Sequence, residues 1–172
     1  ADNLFWLGRY VERADFTART LRAYHLRLED NGGTPMPVFD QLGRYLEGRG
    51  LYLAQPLPDL FLNLLARARG CASKVRDRFS DDGWYALDEL EAAARDLAGA
   101  VDHGDATGRA LSQLLRKLAG FAGLVNDNMF RFSGWRFMSM GRALERGVQI
   151  SDLLAVFSAS GAAQGSLDAA LE

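Results

Sequence analysis

From Leu4 onward, the positions Leu7, Val11, Ala14, Ala18, Leu21, His25 and Leu28 follow one another at steps of three and four. That spacing draws one stripe along a helix of about seven turns. A helix with such a stripe must bury it against other helices or against a sheet. No sheet is on offer, because period-two alternation is absent and β-branched residues are sparse. The chain breaks at Asn31-Gly32-Gly33, with Pro35 and Pro37 close behind, and again around Gly48-Arg49-Gly50, Pro56 and Pro58. A short helix is predicted over 38–47. A third helix is predicted from Pro58 to Phe79, with Phe61, Leu64, Leu65, Ala68, Ala72 and Val75 on its apolar side. Ser80 reads as the cap of a fourth, which ends at His103-Gly104. Asp105 or Thr107 caps a fifth, and a sixth runs from Gly134 to Phe157. The expectation is an all-α helical bundle of five long helices and one short one. Residues 1–158 form the domain, and 159–172 form a flexible tail rich in Gly, Ala and Ser.

The 172 residues suffice for one self-supporting core. A net charge of −2 argues against a general nucleic-acid binder. No apolar run is long enough to span a bilayer, and Ala1-Asp2-Asn3 does not read as a signal peptide. Cys71 is the lone cysteine, which excludes an internal disulfide and suits a cytoplasmic, reducing location. It reads as a small buried residue. The two histidines, His25 and His103, form no metal-ligand spacing and no nucleophile–base pair with it. No metal and no cofactor is expected.

The chemistry that remains is a motif. Gly8-Arg9-Tyr10-Val11-Glu12-Arg13 near the start returns as Gly141-Arg142-Ala143-Leu144-Glu145-Arg146 near the end. The ungapped alignment sets Leu4, Leu7 and Leu21 against Phe137, Met140 and Leu154, as equivalent stripe positions. Helical spacing groups Arg9, Glu12 and Arg13 on one face, and Arg142, Glu145 and Arg146 on another, with Gln149 one turn further. A solvated charged face is the plain reading of one such motif. Glycine inside a helix costs about 1 kcal/mol relative to alanine, however, and permits close approach of another backbone. Each face holds two arginines and one glutamate, so each lacks a carboxylate that its twin provides. The two helices are therefore expected to pack together, Glu12 meeting Arg142 or Arg146 and Glu145 meeting Arg9 or Arg13. Four arginines against two glutamates leave a surplus of two positive charges, unless Asp2, Asp15, Asp127 or Asp152 offsets it. Uncompensated, the pair would hold a carboxylate or phosphate; compensated, it would be a structural network.

The chain resembles the alpha-E family, bacterial helical proteins named for a conserved Glu-Arg motif. The resemblance rests on the run from Ala1 to Ala14, on Gly134-Trp135-Arg136-Phe137 leading into the second motif, and on Met129 and Arg131. The central residues Val75-Arg76-Asp77-Arg78-Phe79-Ser80 and Trp84 also contribute. Where the family has an Arg-Glu-Asn-Ala-Arg run, this chain reads Arg69-Gly70-Cys71-Ala72-Ser73. The family's members occur beside circularly permuted ATP-grasp ligases and transglutaminase-like proteins. The resemblance thus implies a non-catalytic partner or substrate-holding module of a peptide- or amide-bond modification system, with an ATP-grasp-type ligase or a transglutaminase-like protein as partner. It would take a small anionic or peptide ligand and neither nucleic acid nor membrane. Arg9, Glu12, Arg13, Arg142, Glu145 and Arg146 are the candidate residues, with Arg131 and Arg76 secondary. Two alternatives stand beside it. One is an enzyme acting on an acidic peptide or carboxylate substrate, with Glu12 or Glu145 as general base. The other is a structural or oligomerising module. Neighbouring arginines lower a glutamate's pKa, which weighs against the enzyme.

Overall fold

The computed structural model describes residues 1–30, 37–78 and 81–171, and among these it contains helices and no strand. The helices are α1 (Asp2–Asp30), α2 (Pro37–Gly48), α3 (Asp59–Ser73), α4 (Asp81–Ala98), α5 (Asp105–Asn128), α6 (Ser133–Phe157) and α7 (Ser166–Leu171). Among the described residues no helix is long and apolar enough to cross a membrane. The breaker cluster at 31–36 and the cap at Ser80 lie outside the described residues.

α1 is the axis of the bundle. It packs against α3 and α5 on one side and α6 on the other, with α2 along its C-terminal half; α4 closes over α3 and α5. Leu7, Ala14, Ala18 and Leu21 of α1 are fully buried with Phe61 and Leu65 of α3, Leu111 and Leu114 of α5, and Leu87 and Leu90 of α4. The alanines in α1 let α3 and α5 approach closely, and the leucines fill the space on either side. His25 completes the stripe, also fully buried, with its Nδ1 accepting from the backbone N–H of Gly104 at 3.2 Å. Gly104 has φ +87, which lets the chain reverse just before α5.

The structure departs from the periodicity in three places. α3 ends at Ser73, six residues before the predicted end. There the N–H groups of Lys74 and Val75 donate to Cys71 and Ala72, three residues back instead of four, and a single 3-10 turn at Arg76–Arg78 follows. The Ser73 hydroxyl donates to the Gly70 carbonyl at 2.9 Å, competing for the helix's own backbone. Thr107 caps nothing; its hydroxyl donates back to the Asp102 carbonyl at 2.6 Å. The segment read as a tail contains α7, whose Ser166, Ala169 and Ala170 are buried. Gln41 of α2 anchors its approach, donating to the Val156 carbonyl at 3.3 Å and accepting from the Ala163 N–H at 2.8 Å.

α6 differs from α1 in what covers it. Its buried positions are Met138, Gly141, Glu145, Gln149, Leu153 and Phe157. Met140 and Leu154, the expected counterparts of Leu7 and Leu21, are 51% and 39% exposed. The stripe is present in both helices, but that of α1 is covered by α3 and α5, whereas α6 meets α1 on one face and α2 and α7 only towards its C-terminal end.

Candidate functional site

The two motif glycines form the crossing point of α1 and α6. A Cβ on Gly8 would lie 2.2 Å from the Met138 carbonyl oxygen, and one on Gly141 would lie 2.1 Å from that of Phe5. No side chain fits either place, because the obstacle is backbone. The relation is reciprocal. Gly8 faces the residue three before Gly141, and Gly141 faces the residue three before Gly8. The helices run in the same direction and are related by a local two-fold axis.

One turn beyond the crossing, the charges interlock across that axis. Arg142 and Arg146 donate through Nε to the two oxygens of Glu12, at 3.1 and 2.5 Å. Arg9 donates through Nε to Glu145 Oε2 at 2.7 Å, and Arg13 donates to both oxygens, at 2.6 and 2.9 Å. Both glutamates are buried and the arginines lie partly in solvent. Backbone therefore meets backbone at the glycines, and each acid is consumed by its twin's arginines.

The two halves of the network differ in what lies one turn beyond the glutamate. Glu145 has Gln149 one turn on, whose Nε2 donates to it at 2.6 Å; the equivalent of Gln149 in α1 is Phe16. Burial alone would raise the Glu145 pKa, and it is the largest single influence. The donors Arg13, Gln149 and Arg9 together outweigh it and bring the group down from 4.5 to about 2. Correspondingly, the hydrogen bond to Glu145 raises Arg13, and that to Glu12 raises Arg146.

Arg49, which no sequence signal singled out, extends the network. It lies in the turn after α2, with its guanidinium 5.7 Å from the Phe16 ring and 5.3 Å from the Tyr45 ring. It donates to Gln149 Oε1 and to Asp152, which also accepts from the Tyr45 hydroxyl at 3.2 Å. A continuous chain of bonds thus joins α1, α6 and α2. Of the acids considered as neutralisers, Asp152 pairs with Arg49, and Asp15 pairs with Arg19 while its charge also acts on Arg146. The two secondary candidates lie elsewhere. Arg131 sits 5.5 Å from the Trp135 ring and Arg76 sits 4.7 Å from that of Trp84, and no hydrogen bond or ion pair joins either to the six.

A cavity of about 510 Å³ opens beside the Glu145 half, walled by Arg13, Arg49, Gln149 and Asp152 on one side and by Leu51, Leu60 and Leu64 on the other. Among the described residues no group of three or more His, Cys, Asp or Glu is placed to hold a metal ion.

The chain as a whole matches a known family of sequences. The profile described as "a predicted alpha-helical domain with a conserved ER motif" matches residues 1–172. The chain belongs to the alpha-E family. Its relatives include the uncharacterized protein Rv2567 of Mycobacterium tuberculosis (strain ATCC 25618 / H37Rv) and the uncharacterized protein Mb2597 of Mycobacterium bovis, each 26% identical over 187 residues. Those matches cover 88% of this chain but 21% of each relative, so this alpha-E domain spans about a fifth of their length. No solved structure matches it. In this alpha-E domain, Glu12 and Glu145, with the arginines around them, tie the first long helix to the last.

Proposed function

We propose that this alpha-E domain is a non-catalytic helical partner or substrate-holding module of an ATP-grasp-type peptide- or amide-bond modification system, with the paired Arg-Glu motif as its scaffold. The observation that supports this reading is the use made of the motif acids. Each glutamate is occupied by two arginines of the opposite helix, and Glu145, held near 2, is a poor proton acceptor at neutral pH. A general base works best with a pKa near the operating pH. The motif is thus a clasp rather than a catalytic pair. The association with ATP-grasp and transglutaminase-like proteins comes from the family resemblance. The test is calorimetric titration of the purified chain with an ATP-grasp-type ligase from the same source, alongside ATP-hydrolysis assays. Binding to the ligase, with no ATP turnover by the chain alone, is expected. ATP hydrolysis or peptide ligation by the chain alone would overturn the reading.

The cavity favours a second, compatible reading, in which the module holds substrate directly. Charges of both signs, Arg13 and Arg49 with Glu145 and Asp152, line the cavity beside Leu51, Leu60 and Leu64. That balance suits a zwitterionic peptide or amino acid with an apolar side chain better than the bare anion suggested by the motif's surplus charge. A leucine-containing dipeptide should bind more tightly than inorganic phosphate in the same calorimeter; the reverse order would refute this version.

A further inference from the structure

The local two-fold axis relates more than the charges. It carries the α1 stripe residues Leu7, Val11, Ala14, Ala18 and Leu21 onto Met140, Leu144, Gly147, Ser151 and Leu154 of α6. The first set is buried under α3 and α5. The second faces outward, Leu144 being 48% exposed, and a Cβ on Gly147 would meet nothing within 4 Å. α6 thus presents a helix-packing face, apolar ridges around a glycine notch, that no helix covers among the described residues. Large apolar patches of this kind mark interaction sites.

We propose that this face binds its own copy, forming a dimer in which two α6 helices pack antiparallel and cross at Gly147. Three features favour a second copy. The face carries no charge to strand, because Arg142, Glu145 and Arg146 are all engaged by α1. The ends are complementary only in the antiparallel sense: the exposed Arg136 at the start of α6 comes beside the carbonyl end of its partner near Ser158, where a cation is favoured. Parallel packing would place the two Arg136 side chains together. Finally, Met140 to Leu154 is about 21 Å of helix. Covering it would remove on the order of 500 Å² from each copy, about 1,000 Å² in all, which is the lower bound for a specific interface. A dimer of micromolar affinity is expected. This inference does not depend on what the domain holds.

The test is sedimentation equilibrium of the chain from about 1 to 500 µM. A monomer–dimer equilibrium within that range is expected. The double variant Leu144→Glu/Leu154→Glu should remain monomeric throughout while keeping its helicity, because both side chains are exposed. The symmetry has its own readout. In a Cys71→Ser background, Gly147→Cys should cross-link to itself on mild oxidation, whereas cysteine at the exposed Ala92 of α4 should not. A wild-type chain that stays monomeric at about 500 µM would overturn the proposal and leave the face to another partner. A dimer that survives the double variant would overturn it by placing the interface elsewhere.

Discussion

Replacing Glu145 by glutamine tests the clasp with little change of shape. The structure sets the magnitude. Glu145 is held down from 4.5 to about 2, so its charged form contributes about 3 kcal/mol to folding at neutral pH. The variant also leaves Arg9 and Arg13 partly buried without their carboxylate, and breaking one partner of such a set costs about 3–5 kcal/mol. The pH dependence follows from the sign of the shift. Between pH 4.5 and 2 the unfolded chain takes up a proton at this position before the folded chain does, so the contribution is full above 4.5 and lost as pH falls towards 2. The stability gap between wild type and Glu145→Gln should be about 3 kcal/mol at pH 7 and should shrink steadily below pH 4.5. Urea denaturation read by circular dichroism measures it. With a slope of about 2 kcal/mol/M, the gap at pH 7 is a midpoint shift of about 1.5 M. A gap under about 1 kcal/mol at pH 7, or one as large at pH 3 as at pH 7, would refute the view that Glu145 is a buried, charged hub.

Further measurements probe the neighbouring features. Gly8→Ala and Gly141→Ala should each destabilise the fold by about 1–3 kcal/mol despite alanine's better helix propensity, since the new methyl meets a backbone carbonyl that cannot rotate away; thermal melts will show it. His25 is held at about 4, first by burial and then by the His103 ring stacked 5.6 Å away, against a weak opposing pull from the Pro56 carbonyl. Its unfolded form therefore binds a proton first, and stability should fall as pH drops from 6.5 to 4; a His25→Asn variant should lack that slope. Burial raises the Cys71 thiol, with Lys74 opposing, so the native chain should react with a thiol reagent at pH 7 more slowly than the urea-unfolded chain.

Most of the architecture was legible because helices advertise themselves locally. The stripe from Leu4 to Leu21 is buried as spaced, and the missing carboxylate in each motif pointed to the other motif. What was hidden depended on neighbours. The spacing of Val75 suits a longer α3, but Gly70 and the Ser73 hydroxyl end it. Met140 and Leu154 match Leu7 and Leu21 in character, yet pattern cannot tell which face of a helix another element will cover. Arg49 stands between two glycines in a turn, and only the folded chain brings it to Gln149 and Asp152. α7 is short and alanine-rich, so its burial against α2 and α6 has no periodic signature.

The clasp also has a consequence in time. Arg9 and Glu145 lie 136 residues apart, so α1, once it has left the ribosome, cannot be completed until α6 has followed. At about 5–20 residues per second, that wait is on the order of ten seconds. Throughout it, the glycine face of α1 is open and Glu12 has no arginine from α6. A polypeptide truncated before α6 leaves that face open permanently, and such a nascent chain is a natural client for chaperones. The glycines that let the finished helices touch so closely make the domain all-or-nothing: no N-terminal portion of it has a finished surface.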